Sequence, residues 1–557
     1  MRKIFVLLIL ISYHTFSQLN FNITNLNIDK YKISFCYNSD RDLLLKVINN
    51  AKGNPISTIK IPSGTHPIVI NNLEPSTEYF LKFYNIYNNG FDSIKLYTQS
   101  NYPSTINVYF NKKVDTTIAK IEKAKGEIDF AQKLINRIDS AKYSVDLCVY
   151  SFSGSVGDAI ADALINAKNR GVKIRFIIEE DNKDRAPVRK LINAGVPVLT
   201  DKCGSNDGTG LQHNKFFIFD NRDNSSELDD LIISGSWNPT EPGTFDDFQN
   251  IVEIQNKSLA SAYTTEFEEM WGSNSDNYDV TKAKFGKNKT DNTPHLFIID
   301  GINVELYFSP TDKTLNRLID IIKTARNSIN FSEMTFTNDD AANAIKLANS
   351  ENKVTVRGIM NKEDAETATG SKYTFFNSSP KWCTVLKSNY PTGIFHHKYM
   401  IIDGENINSN NAWLITGSYN ITNSAEYYNN ENLLFFKSLR LADIYLQEFV
   451  QRFKECGGIY TNINNTLYIP ETFSLEQNYP NPFNSTTKIK FSIKSEKFVN
   501  LKIYDVLGNE IENPIKQDLR PGNYEIVWNA SNLPSGVYYY TLKYGNELST
   551  KKMILIK

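Results

Sequence analysis

Apolar and polar positions alternate along this chain in two distinct textures. Residues 18–102 carry short runs with every second position apolar (31–37, 43–48, 79–87), separated by Asn, Gly, Ser and Pro. A period of two is that of a half-buried strand, so this stretch predicts an all-β sandwich. From 108 to 458 the texture changes. Apolar positions at helical spacing (129–140, 158–170, 315–326, 341–348) alternate with nearly continuous apolar runs (144–151, 172–178, 328–334, 354–359). Helix and buried strand in that order predict an α/β core. The order occurs twice, in lobes at 108–276 and 294–458, on either side of a polar linker at 277–293. Beyond 471, Pro480 and Pro482 bar helix, and alternation resumes at Ile489, Phe491 and Ile493. The predicted fold is multidomain: a two-lobed α/β core flanked by small all-β sandwiches at 18–102 and 471–557.

At the start, Arg2 and Lys3 precede an apolar run at 4–11, with Thr15 and Ser17 placed for cleavage. That is the pattern of a secretory signal over 1–17, and the run is far short of the roughly 20 residues that span a bilayer. Lys+Arg number 61 against 62 Asp+Glu, which excludes nucleic-acid coating by bulk charge. Five scattered cysteines fit neither a zinc framework nor a disulfide-dense scaffold. In an oxidising compartment Cys203 and Cys383 are candidates for a bridge between lobes, with free thiols as the alternative. Cys148, in an apolar run, reads as core.

The chemistry sits in a repeat. HNKFFIFD places His213, Lys215 and Asp220, and HHKYMIID places His396, Lys398 and Asp403. SGSWN (Gly235, Ser236, Asn238) and TGSYN (Gly417, Ser418, Asn420) follow at matching distances. A histidine and a lysine two apart on a strand project from one face. Lysine supplies positive charge, and asparagine and serine supply neutral donors, so the set surrounds a phosphate oxyanion without a metal. Two such half-sites face to face put a histidine on either side of phosphorus, one to attack and one to protonate the departing oxygen. No HExxH or Cys/His ligand spacing is present, and no metal or other cofactor is expected. The acidic run 227–230 reads as a solvated turn rather than a calcium site.

HxKxxxxD followed by GSxN, twice, resembles the phospholipase D superfamily over about 350 residues. The resemblance implies two pseudo-twofold lobes with the active site at their interface, lined by His213, Lys215, Asn238, His396, Lys398 and Asn420. It implies structural support from Asp220 and Asp403. Ser236, Ser418 and Gln249 are expected to bind, and His397 to point away from the pocket; His14, His66 and His295 carry no motif. It also implies that a residue fourteen after each motif glycine orients a motif histidine: Gln249 after Gly235 and Glu431 after Gly417. If each serves its own half, Glu431 favours the imidazolium of His396, the proton donor, and Gln249 leaves His213 the neutral nucleophile. Crossed pairing would exchange the roles.

NLEPSTEYF, with Leu73, Pro75, Thr77 and Tyr79, resembles the tyrosine corner of a fibronectin type III domain. YPNPFN, LKIYDVLGNEI, SGVYYY and the tail KKMILIK resemble the C-terminal sorting domain of type IX secretion. That implies export through the periplasm, then secretion or surface attachment, with the secretion machinery as partner. By count, residues 111–460 hold 40 Lys+Arg and 47 Asp+Glu, so the core lacks the basic track of a nuclease. Lys-rich stretches at 183–190 and 282–289 are candidate local basic patches, with solvated surface as the alternative reading. The sequence reading is a secreted, monomeric phosphodiesterase acting on phospholipid head groups; the alternatives are a nuclease and an inactive adhesin.

Overall fold

The computed structural model describes residues 21–85, 91–202, 210–223, 226–460, 472–495, 497–519, 522–545 and 547–557. The signal-like stretch 1–17 and Cys203 lie outside the described residues. The chain divides into two compact units, Met1–Tyr460 and Thr461–Lys557.

The first unit opens with seven strands in two sheets. Phe21–Ile28, Ile33–Ser39 and Gly64–Ile70 form one; Pro55–Ile61, Leu43–Asn49, Glu78–Asn85 and Phe91–Tyr97 form the other. Alternation sends Leu43, Leu45 and Val47 into the core between them. The Tyr79 hydroxyl, buried, accepts the Glu74 N–H at 2.8 Å and closes a corner between strands.

Two larger mixed sheets follow. In the seven-stranded sheet, Val198–Thr200, Lys173–Ile178 and Ser144–Val149 run parallel at one edge. The motif strand Lys215–Phe219 lies antiparallel beside Ser144–Val149, followed by Leu231–Gly235, Asn250–Gln255 and Thr105–Phe110. The eight-stranded sheet repeats this order from Thr384–Lys387, Thr355–Met360 and Ser328–Glu333, through the motif strand Lys398–Ile402, to Trp413–Gly417, Glu431–Lys437, Ile302–Ser309 and Leu296–Ile299. The first lobe's sheet draws in residues before 108, because Thr105–Phe110 pairs with Asn250–Gln255.

Alternation along the motif strands joins the lobes. Phe217 and Phe219 face the helices of their own lobe, whereas Phe216 and Ile218 enter an apolar cluster shared with Tyr399 and Ile401. Helices Lys257–Trp271 and Leu439–Glu455 supply Tyr263, Phe267, Tyr445 and Phe449 to the same cluster. Burying one face of each sheet together fixes the lobes against each other and so fixes the pocket between them.

Helix boundaries depart from the periodicity at polar ends. The helix expected over 341–348 runs Asp339–Asn352, because the Asn338 side chain accepts the Ala341 N–H and two aspartates favour its first turn. The helix expected from 158 starts at Gly154.

Two surface expectations are corrected. The acidic run is not a solvated turn: Glu227 accepts from Ser76 and Ser100, Asp229 pairs with Lys142, and buried Asp230 faces Lys257 at 3.3 Å. The lysine stretch ending at Lys289 is not wholly solvated, since Lys289 is buried against Glu266 and Phe285 enters the core. Of the two cysteine readings, the free thiol is the one found at Cys383, which is buried and donates to the Phe376 carbonyl.

The second unit packs Ile489, Phe491, Trp528, Tyr540 and Met553 between two antiparallel sheets. Its strands are Ser474–Leu475, Thr486–Ile493 and Gly522–Asn529, and Glu510–Leu519, Lys497–Tyr504, Gly536–Tyr544 and Glu547–Leu555.

Candidate active site

The motif aspartates build the frame. Asp220, ending the first motif strand at φ +56°, accepts the N–H groups of Lys142, Tyr143 and Ser144 at 2.7–3.1 Å. Asp403, at φ +53°, does the same for Arg326, Asn327 and Ser328. Each carboxylate thereby ties the end of its motif strand to the start of the neighbouring central strand, far from phosphate chemistry.

At the opposite end of those strands the two half-sites meet. His213 Nδ1 lies 2.8 Å from Glu431 Oε2, and His396 Nδ1 lies 2.9 Å from Gln249 Oε1. The pairing is therefore crossed: each histidine is oriented by the other lobe, and the own-half pairing is wrong. The reason is topological. Gln249 and Glu431 stand where their strands reach the lobe interface, so each side chain meets the facing lobe's motif. With Nδ1 donating to an oxygen, each ring turns Nε2 free of that contact.

The motif serines are committed elsewhere than to a ligand. Ser236 Oγ donates to Gln249 Oε1 at 2.7 Å and accepts the Asn250 N–H; Ser418 Oγ donates to Glu431 Oε2 at 2.7 Å and accepts the Asn432 N–H. Their single protons are thus used to hold the histidine-orienting residues, which corrects the expectation that they donate to phosphate. Lys215 Nζ donates to the His213 carbonyl at 2.7 Å and Lys398 Nζ to the His396 carbonyl at 2.9 Å. Asn238 and Asn420 each keep a buried side-chain oxygen with no partner.

Electrostatics single out a buried pocket whose four basic groups are each pushed toward the neutral form. Burial pushes His213 below its ordinary value, with the Glu431 carboxylate pulling it partly back. Burial, then Lys398 and Lys215, hold His396 well below. Burial lowers Lys215 strongly and brings Lys398 down to about 8 against the opposing pull of Glu333.

Some neighbours were not foreseen. The Tyr150 ring meets His213 edge-on at 5.1 Å, with Lys215 Nζ 5.4 Å from its centroid. Glu333, buried, is the cross-strand partner of Lys398. A carboxylate inside the apolar run 328–334 was the signal available for it. His295 sits apart from both motifs with Asp291 and Asp312, their ligand atoms within 4.8 Å of one another. Hydrogen bonding and the two carboxylates raise it to about 9 despite burial, which makes the cluster an ion pair.

The profile of the "Cardiolipin synthase, PLD-like domain" family matches residues 134–271 and 318–453, and that of the "Secretion system C-terminal sorting domain" matches 477–557. Among curated relatives, the mitochondrial cardiolipin hydrolase of Drosophila melanogaster is 30% identical over 153 residues, covering 25% of this chain and 57% of the relative. A phospholipase D of Rickettsia felis is 30% identical over 132 residues, covering 23% and 58%. This chain spans a little over half the length of these relatives. Among solved structures, Nuc of Salmonella typhimurium matches at 26% identity and TM-score 0.23, covering 30% of this chain and 94% of that one. The phosphatidylserine synthase of Haemophilus influenzae Rd KW20 matches at 14% and TM-score 0.44, covering 63% and 88%.

Proposed function

The chain belongs to the phospholipase D superfamily through two copies of its domain, and from that premise we propose a metal-independent phosphodiesterase that works through a covalent phosphohistidine. The observation that carries the reading is the crossed pair of oriented histidines, one from each lobe, beside two buried lysines. Lys215, Lys398, Asn238 and Asn420 hold the non-bridging oxygens. One Nε2 attacks phosphorus as the bond to the leaving oxygen breaks, and the other Nε2–H gives that oxygen its proton. Water then attacks phosphorus, losing a proton to the second histidine as the P–N bond breaks.

On resting charge alone the crossed pairing would exchange the roles. Attack, however, makes the nucleophile's ring a cation, and a carboxylate on its Nδ1–H stabilises charge that develops only in the transition state. We therefore assign attack to His213, backed by Glu431, and proton donation to His396, whose ring, held neutral in the empty pocket by burial and the two lysines, takes up its Nε2 proton when the phosphodiester anion enters.

For substrate, phospholipid head-group diesters fit better than nucleic acid. The charge balance of the lobes supports that preference: residues 111–460 hold 40 Lys+Arg against 47 Asp+Glu, with no bulk excess of positive charge for the phosphates of a polyanion. The N-terminal sandwich is read as a fibronectin type III-like spacer, and the type IX machinery as the partner of residues 477–557.

The test compares choline release from phosphatidylcholine with nicking of plasmid DNA, both in EDTA, followed by mapping of the trapped phosphopeptide. Lipid turnover with modification at His213 is expected. Plasmid degradation without lipid turnover would reverse the substrate, loss of activity in EDTA the mechanism, and modification at His396 the assignment.

A further inference from the structure

The crossing at the lobe interface involves pairs of consecutive residues. His213 and Asn214 meet Glu431 and Asn432; His396 and His397 meet Gln249 and Asn250. The outer contacts of the two sets differ in polarity. In one, Asn432 Nδ2 donates to Asn214 Oδ1 at 3.0 Å, while Asn432 Oδ1 accepts from Ser234 and Tyr263. In the other, Asn250 Nδ2 donates to Thr416 Oγ1 and the Tyr445 hydroxyl, both at 2.9 Å, which leaves Asn250 Oδ1 to accept from His397 Nδ1 at 3.1 Å. With the Asn250 amide in this orientation, His397 Nδ1 is the donor of that contact.

Its other nitrogen also faces an acceptor. His397 Nε2 lies 3.0 Å from Glu448 Oε1. Glu448 accepts the Tyr399 hydroxyl on its second oxygen and has the Arg452 guanidinium 3.3 Å from the first. A carboxylate so surrounded is ionised, so both ring nitrogens donate. Glu448, Arg452 and Tyr399 bear on the ring from helix Leu439–Glu455 and the motif strand, the Tyr445 hydroxyl reaches the same Asn250 amide, and Phe395 and Tyr399 flank the ring edge-on. All of this is buried, with His397 and Glu448 each 1% exposed.

From Asn250 the contacts continue to the pocket. Its backbone N–H donates to Ser236 Oγ at 3.1 Å, Ser236 Oγ donates to Gln249 Oε1, and Gln249 Oε1 receives His396 Nδ1–H. We propose that His397 is a positioning residue, held as a buried imidazolium that locks Asn250 across the lobe interface and so keeps the Gln249–His396 pair aligned for proton donation. The first lobe has Asn214 at this place, which takes its hydrogen bond from Asn432 and needs no charge. The two half-sites thus differ in a way that suits one to attack and the other to donate. This inference rests on the phosphodiesterase reading for its kinetic arm only.

Two measurements test it on the full chain. Neutron diffraction at pH 8 is expected to show hydrogen isotope on both His397 nitrogens; a neutral ring overturns the proposal whatever the kinetics. The second uses His397→Asn with methyl 4-nitrophenyl phosphate, whose leaving group needs little protonation, and methyl phenyl phosphate, whose leaving group needs more. The variant is expected to lose at least about tenfold in kcat on the phenyl ester, a fraction of what a general acid supplies, and little on the nitrophenyl ester, with KM unchanged on both. Equal losses on both esters would show a structural role only and overturn it. If the wild-type enzyme cleaves neither ester, the phosphodiesterase reading fails, and the diffraction result alone decides the charge state of His397.

Discussion

Lys398 shows how the pocket's chemistry is stored in single side chains. Burial brings its ammonium down to about 8, although Glu333 and Glu431 pull the other way. In the unfolded chain the same group holds its proton to about 10.4. Two consequences of opposite sign follow. Above pH 8 the empty pocket loses a charge that phosphate needs, so kcat/KM, which reports the free enzyme, is expected to fall. Between about 8 and 10.4 the unfolded chain binds more protons than the folded one, so stability contributed by this site rises with pH. Lys398→Met should then be more stable than wild type at pH 7, by about 3 kcal/mol, with the difference vanishing above the unfolded pKa. Urea melts at pH 7 and pH 10.5 measure this, and a constant difference would refute it. At this scale the sequence was informative about which residues matter. HxK spacing places each lysine beside its histidine on one strand face, and that is a local property. The partner of each histidine is not local: own-half pairing of Glu431 with His396 and crossed pairing with His213 have the same spacing. Only the meeting of the two sheets decides between them.

At the scale of elements, the repeat works because each motif strand is anchored at one end and reactive at the other. Asp220 and Asp403 hold the anchored ends through three backbone N–H groups apiece. Removing one carboxylate strands buried donors, each costing about 1–3 kcal/mol. Asp220→Ala is therefore expected to lower stability by about 3 kcal/mol or more, with Asp220→Asn intermediate, because one acceptor oxygen remains. Calorimetric melts of both variants check the order. If Asp220→Ala melts like wild type while activity is lost, the residue acts in chemistry instead. Elements were legible where one face is apolar, as in the helix Phe130–Ser140. They were illegible where polar residues do the work. Asp339 and Asp340 extend a helix that apolar spacing begins at 341. The run 227–230 looks solvated until Ser76, Ser100, Lys142 and Lys257 arrive from other parts of the chain.

The whole molecule separates its chemistry from its delivery. Both half-sites and the N-terminal sandwich lie within Met1–Tyr460, and the two lobes share one apolar cluster. Thr461–Lys557 is a unit of its own, with an apolar core formed by Leu475, Ile489, Trp528, Tyr540 and Leu555. Residues 477–557 of it match a sorting domain, which marks the chain for secretion or surface attachment. Both half-sites and their shared apolar cluster belong to the first unit, so removal of 471–557 should leave them intact. The truncated enzyme is expected to accumulate in the periplasm with phosphodiesterase turnover per molecule unchanged. Cell fractionation with an activity assay on each fraction measures both. Truncated protein outside the cell in normal amount would show that delivery does not depend on this domain. A truncated protein held in the periplasm but inactive would show that the pocket needs the second unit after all.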